Sequence, residues 1–347
     1  MALQTTCIGA FPKPDWLPIR DWFEIDLGDD HYAEDVIGAW TADPEHDPVF
    51  RRATEAAVRL QLECGIDVPT DGEQRRENYV HYQCRFFSGF DFTNLERRVL
   101  RDGAYDCVVP AIRGDINPGG HPVLVRDFRE AQAVSHAPVK MTLPGPLTII
   151  DSTANCHYRE TSRLAEDIAD ALNTEILALA ANGCRFIQVD EPVFARHPRA
   201  ALDYGVESLL RCLRGLPPEV TRVVHMCCGY PDRIDNPAYP KADHGVYGEL
   251  VDALDGHVEQ ISIEDAHCNN PLDLFDRFRA SAAIVGVVRI ASSRIESVSE
   301  IRRRLEQILT RLPPERVVAA PDCGLGFLGH ELALTKLRNM VKAARSL

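Results

Sequence analysis

His225-Met226-Cys227 places an imidazole and a thiol two positions apart, at the end of the apolar run Val223-Val224. Residues i and i+2 of an extended segment face the same way, so one strand end can present a nitrogen and a sulfur to a single point. Further along, Glu264 closes the alternating run Val258–Ile263, and Cys323 follows Val317–Ala320. One nitrogen, one oxygen and two sulfurs form a donor set that suits Zn²⁺, provided the fold brings these strand ends to one rim. Their linear spacing is that of no zinc finger. Zinc held by two thiolates and a carboxylate carries +2 offset by three anions, or −1. Such a centre activates water poorly and is better suited to holding a small thiol as its thiolate. A closed site that only ties strands together is the competing reading. Cys228, out of phase with Cys227, reads as a packed neighbour, and His244, His257, His267 and Cys268 read as surface or supporting residues.

Further carboxylates sit where strands end. Glu73 follows Ile66-Asp67-Val68-Pro69-Thr70, and Asp190-Glu191 follows Phe186-Ile187-Gln188-Val189. Each could bind a substrate ammonium; Asp190 and Glu191 could instead cap the helix that comes next. Arg75, Arg76 and Arg85 could neutralise an anionic ligand or pair with neighbouring acids.

Apolar, β-branched runs end near residues 10, 71, 142, 190, 225, 263, 290 and 320, each followed by a polar or helical stretch. Cys7–Pro12 is read as the first. Helices are expected at Phe50–Glu63, closed by Gly65, at Thr161–Asn182, closed by Gly183, at Val298–Leu312, and from His330 to the end. Eight strands alternating with helices predict an α/β fold, a (β/α)₈ TIM barrel forming a single domain over 1–347, with its chemistry at the C-terminal strand ends. An irregular elaboration falls at about 84–135, with Cys107–Pro110 in a strand pair. A doubly wound sheet fits less well, because no glycine-rich phosphate loop follows the first run.

Bulk properties narrow the partners. Apolar residues make up 45% and charged residues 26% of the 347, with a formal charge of −14, which disfavours nucleic acid and anionic membranes. Arg302-Arg303-Arg304 reads as a solvated helix face. No apolar stretch approaches the roughly 20 residues needed to span a bilayer, and the N-terminus lacks a signal-peptide pattern. Eleven scattered cysteines point to reduced thiols in the cytoplasm. Monomer and homo-oligomer both remain open.

Taken in order, Ile8-Gly9-Ala10-Phe11-Pro12, Asp71-Gly72-Glu73, Leu143-Pro144-Gly145-Pro146-Leu147-Thr148, Ile187-Gln188-Val189-Asp190-Glu191-Pro192, His225-Met226-Cys227, Ile263-Glu264 and Pro321-Asp322-Cys323-Gly324-Leu325 resemble the cobalamin-independent methionine synthase family. The likeness is to its catalytic C-terminal barrel and covers essentially the whole chain. It implies His225, Cys227, Glu264 and Cys323 as zinc ligands. It also implies Glu73 and Asp190 as the catalytic-site carboxylates that hold the amino group of a homocysteine-like thiol, with Ile8, Gly9, Ala10 and Ser152 among the substrate contacts. Zinc would be the cofactor, and a small thiol and an alkyl donor the partners. Three positions depart from the family pattern. Ala10 replaces a serine that helps hold the amino-acid carboxylate, Ser152 stands where a tryptophan stacks on folate, and Ala291 replaces a histidine that protonates the departing folate nitrogen. The thiol half of the pattern is thus present and the methyl-donor half altered. Two alternatives follow: an epoxyalkane:coenzyme M transferase-type reaction adding a thiolate to an epoxide, and a non-catalytic zinc-binding barrel.

Overall fold

The computed structural model describes residues 2–17, 19, 43–100, 103, 105–229, 233–236, 239 and 241–347. Its strands in chain order are β1 (Gln4–Thr5), β2 (Ser88–Leu100), β3 (Tyr105–Asn117), β4 (Lys140–Pro144), β5 (Ala154–Asn155), β6 (Phe186–Asp190), β7 (Thr221–Met226), β8 (Gln260–Glu264), β9 (Ala282–Val288) and β10 (Val317–Pro321). Seven of them pair in parallel in the order β1-β10-β9-β8-β7-β6-β4. The gap between β1 and β4 is bridged by Val68, which pairs with Thr6, and by Thr70, which pairs with Lys140. The Val68 N–H donates to Thr5 O at 3.0 Å and the Lys140 N–H to Pro69 O at 2.8 Å. The ring is the expected (β/α)₈ barrel, with the segment around 68–70 in the eighth place.

Two expected strands change form. Cys7–Pro12 is not a strand; the pairing residues precede it, and Cys7–Pro12 is the loop leaving the C-terminal end of β1. The 66–70 run, which contains Pro69 and so lacks one donor, makes only isolated bridges. Helices stand close to expectation at Asp47–Glu63, Thr161–Ala181 and His330–Arg345, whereas that starting at Val298 ends at Ile308. Gly65 and Gly183 end the first two with φ near +90° (87° and 91°), a conformation a side chain would resist.

Strand alternation sorts the core. Met141, Leu143, Ile187, Val189, Val224 and Met226 face the helices and join the large apolar cluster. Val223, Ile284, Val318, Ala320 and Ile8 form a separate small cluster, the apolar part of the barrel interior. The other part is polar, with Lys140, Thr142, Gln188 and Ser262 all buried.

The elaboration is a long antiparallel hairpin, β2–β3, with Leu100 opposite Tyr105. Ala111 of β3 continues into parallel pairing with Ala154 of β5. The basic run near the C-terminus is only partly a solvated face. Arg302 pairs with Glu306 at the surface, but Arg304 grips Asp265 with Nε at 2.6 Å and Nη2 at 2.7 Å. Among the described residues, no helix is long and apolar enough to cross a membrane.

Candidate metal centre and adjoining cavity

Parallel pairing aligns the chemical residues across the rim. Asp190 is the register partner of His225, His225 of Ser262, and Glu264 of Gly286. One ligand atom each from His225, Cys227 and Cys323 fall within 4.8 Å of one another. His225 is 2% exposed and Cys227 1%. The Cys323 thiol donates to Cys227, which holds Cys227 well below the ordinary thiol range; the same contact pushes Cys323 up.

Glu264 is fully buried at the end of β8. Its Oε2 accepts from Lys241 Nζ at 2.7 Å. Burial raises its pKa, against the pull of Lys241. The carboxylate groups most tightly with Cys228 and Cys268, not with the His225 cluster. Its Oε1, however, has no hydrogen-bond partner among the described residues, and neither does His225 Nε2. A buried polar atom left without a partner costs about 1–3 kcal/mol. Two such orphaned atoms, at the ends of the paired strands β7 and β8, mark a candidate cation-binding site. The donor set of nitrogen, oxygen and two sulfurs fits zinc. His225 Nδ1 lies 2.9 Å from Ser262 Oγ, which orients the ring and leaves Nε2 as the free nitrogen.

A cavity of about 150 Å³ opens on this cluster. His225, Cys227 and Cys323 border it, as do Glu73, Asp190, Ile8, Gly9, Ala10 and Ser152. All the expected site residues thus converge on one space except Glu264, which lies behind the triad. Ala291 is not among the lining residues.

Glu73 is held by an unusual backbone. Gly72 and Glu73 both have positive φ, 70° and 56°, and the second is costly for a residue with a side chain. The carboxylate accepts from Thr142 Oγ1 at 2.8 Å and faces Arg76 Nη1 at 3.5 Å. A Cβ on Gly9 would stand 2.6 Å from Glu73 Oε1, so glycine is needed there to admit the carboxylate. Burial raises the pKa of Glu73, opposed first by Arg76. Asp190 accepts from Gln188 Nε2 at 2.7 Å, and burial pushes its carboxyl up to about 7.

Other expected roles are redirected. Glu191 caps the helix Pro146–Asp151, not the chain that follows it: Leu147 N, Thr148 N and Thr148 Oγ1 all donate to it at 2.8–3.0 Å. Arg76 pairs with Asp71 and Glu73, Arg75 with Asp47, Asp127 and Glu130, and Arg85 with Glu77. His267 is oriented by Asp322, with Nδ1 2.5 Å from Oδ2, next to Cys323. Cys228 does pack away from Cys227, near Tyr247 and Cys268.

Two parts of the site are additional. The hairpin lays Leu100, Cys107, Val108 and Val109 along the cavity as an apolar wall, and the segment Asn78–His81 adds a second edge. No motif announces either. Ser262 and Lys241 contact His225 and Glu264, at 2.9 and 2.7 Å. Ser262 stands two residues before Glu264 on the same face of β8, a period-2 signal that could have identified it; Lys241 arrives from a loop with no such pattern.

Comparison with known proteins gives a consistent result. The family described as "Cobalamin-independent synthase, Catalytic domain" matches residues 3–346. A methionine synthase of Sulfolobus acidocaldarius is 34% identical over 344 residues, covering 98% of this chain and 91% of that protein. Another, from Sulfurisphaera tokodaii, is 30% identical over 350 residues, covering 99% and 92%. Among solved structures, a B12-independent methionine synthase from Shewanella sp. W3-18-1 in complex with selenomethionine superposes with a TM-score of 0.83 at 28% identity, covering 99% of this chain and 97% of that one.

Proposed function

This chain belongs to the cobalamin-independent synthase family, and from that premise we propose that it is a zinc-dependent methyltransferase that alkylates the thiol of homocysteine to give methionine. The observation that carries this reading is the shared cavity, with two thiols and an imidazole at one end and two buried carboxylates beside them. His225, Cys227, Cys323 and Glu264 would hold the ion. Bound zinc would supply a Lewis acid that keeps a substrate thiol, of free pKa about 8.5, as a thiolate near neutral pH.

The remaining chemistry belongs to the protein's own residues. Glu73 and Asp190 receive the substrate ammonium, which favours the ionised form of each against the burial that raises their pKa. Thr142 and Arg76 fix the Glu73 carboxylate before substrate arrives, so little ordering remains to be done on binding. Glu264 would be the most weakly held of the four ligands, because Lys241 already stabilises its charge. The apolar hairpin wall keeps water from the nucleophile. That a relative binds selenomethionine, an analogue of the product, supports a methionine-shaped space.

Glu73 and Asp190 favour a thiol that carries an amine over coenzyme M, which has none, and so favour methyl transfer over the epoxide-opening alternative. Ser152 at the cavity edge offers no aromatic platform for a pterin. The donor is best identified by experiment. Purified zinc-loaded protein, incubated with homocysteine and a panel of methyl donors that includes methyltetrahydrofolate and methylcobalamin, should form methionine with at least one, detected by mass spectrometry. Methionine from none, with coenzyme M alkylated by an epoxide instead, would replace this reading with the alternative.

A further inference from the structure

Behind the proposed zinc ligands lies a second set of soft donors. Cys228 follows Cys227 but points the other way, with its Sγ 4.0 Å from Cys268 Sγ and 3.3 Å from Tyr247 Oη. Cys268 Sγ lies 3.8 Å from Glu264 Oε2. Ligand atoms of Cys228, Glu264 and Cys268 all fall within 4.8 Å of one another.

The spacing discriminates between two uses of such a pair. Two sulfurs on one tetrahedral zinc, each at about 2.3 Å, stand roughly 3.8 Å apart, and a sulfur and a carboxylate oxygen on it roughly 3.5 Å apart. A disulfide requires about 2.05 Å. The observed 4.0 Å and 3.8 Å are close to the first geometry and far from the second.

We propose that Cys228, Cys268 and Glu264 form a second site for a thiophilic divalent cation, which shares Glu264 with the first site through the carboxylate's other oxygen. Oε2 already accepts from Lys241, and a carboxylate oxygen has a second lone pair to give. Binding displaces one proton from each thiol, so an ion of charge +2 enters and two protons leave, with no net change in the charge of the pocket. Each cluster has two buried members and one partly exposed cysteine, Cys323 in the inner cluster that borders the cavity and Cys268 in the outer one. Glu264 then links an outer and an inner ion. The site is independent of the catalytic role assigned to the inner cluster and shares only this one side chain with it.

The test is a Cd²⁺ titration of reduced, metal-free full-length protein, read both as ions retained per chain after gel filtration and as sulfur-to-cadmium charge-transfer absorbance. Wild type should bind two ions. Cys268→Ser and, independently, Cys228→Ser should each bind one, with about half the absorbance, and Cys323→Ser should also lose one ion. Wild type saturating at one ion overturns the proposal, as does a folded Cys268→Ser or Cys228→Ser protein that still binds two with undiminished absorbance. Should either variant fail to fold by circular dichroism, the other variant and the wild-type stoichiometry decide. A Cys323→Ser protein that still binds two ions would remove the inner ligand assignment while leaving the outer site standing.

Discussion

His225 and Ser262 face each other across β7 and β8 as register partners, with the imidazole Nδ1 2.9 Å from the serine hydroxyl and Nε2 left without a partner among the described residues. A hydroxyl that accepts from Nδ1–H fixes the tautomer in which Nε2 carries the lone pair. Removing such an orienting partner typically weakens metal binding by about 10–100-fold. Ser262→Ala should therefore bind zinc that much more weakly in competition with a chromophoric chelator, while folding normally. An unchanged affinity would mean that the ring is held by packing alone.

Glu73 is predicted to act on homocysteine binding and not on the metal. Charge-assisted hydrogen bonds contribute about 1.5–3 kcal/mol, equivalent to roughly 10–150-fold in affinity. Glu73→Gln should raise the KM for homocysteine by about that factor and leave zinc content at the wild-type level. A variant that loses zinc with its KM unaltered would assign Glu73 to the wrong partner.

Arg76 is 2% exposed and neutralises Asp71 and Glu73 together, with its guanidinium also donating to Thr142 O at 2.9 Å. Taking away one partner of a buried ion pair costs about 3–5 kcal/mol, because the charges left behind are uncompensated. Arg76→Met should lose about that much stability in urea unfolding, and Arg76→Lys should recover only part of it, since an ammonium cannot reproduce the fork. A loss under about 1 kcal/mol for Arg76→Met would contradict the buried-pair account.

Glu191 gives the stability a pH dependence. Burial pushes its carboxyl up to about 8, outweighing the donors of Thr148 and Leu147, against about 4.3 in an unfolded chain. Between these values the folded state binds more protons than the unfolded state, so this residue's contribution is complete below about pH 4.3 and is lost as pH rises through about 8. Glu191→Gln mimics the protonated form. Its Tm should fall less steeply than that of wild type between about pH 5 and pH 8. Parallel curves would show that Glu191 titrates as an ordinary surface acid.

How much of this was legible in the sequence follows from what each signal depends on. The barrel was readable because strand–helix alternation is a local pattern repeated along the chain, and its period-2 phase placed His225, Cys227 and Asp190 on the inner rim. The first run was misplaced because Cys7–Pro12 is as apolar as a strand, and its burial comes instead from lining the cavity and packing on the core. Neither use open to Glu191 in the sequence, an ammonium contact or a cap on the next helix, is the one it serves, because a cap is recognised by proximity in space; the helix it caps begins 45 residues earlier, at Pro146. The hairpin wall depends on β3 pairing with β5, a contact between Ala111 and Ala154 that no local pattern encodes. Ligand identity was clearest where several strands had to agree, and least clear for Glu264, whose Oε2 faces both Lys241 and Cys268 while Oε1 has no hydrogen-bond partner among the described residues.

The account's central claim, that this cluster holds zinc in order to take up a substrate thiol, is tested most directly by zinc K-edge X-ray absorption on protein loaded with one equivalent of zinc and titrated with homocysteine. The account predicts a shell of two sulfurs and two lighter atoms that gains one sulfur and loses one light atom as Glu264 gives way. A shell that stays the same at saturating homocysteine would contradict it and leave a zinc that only ties the strands together.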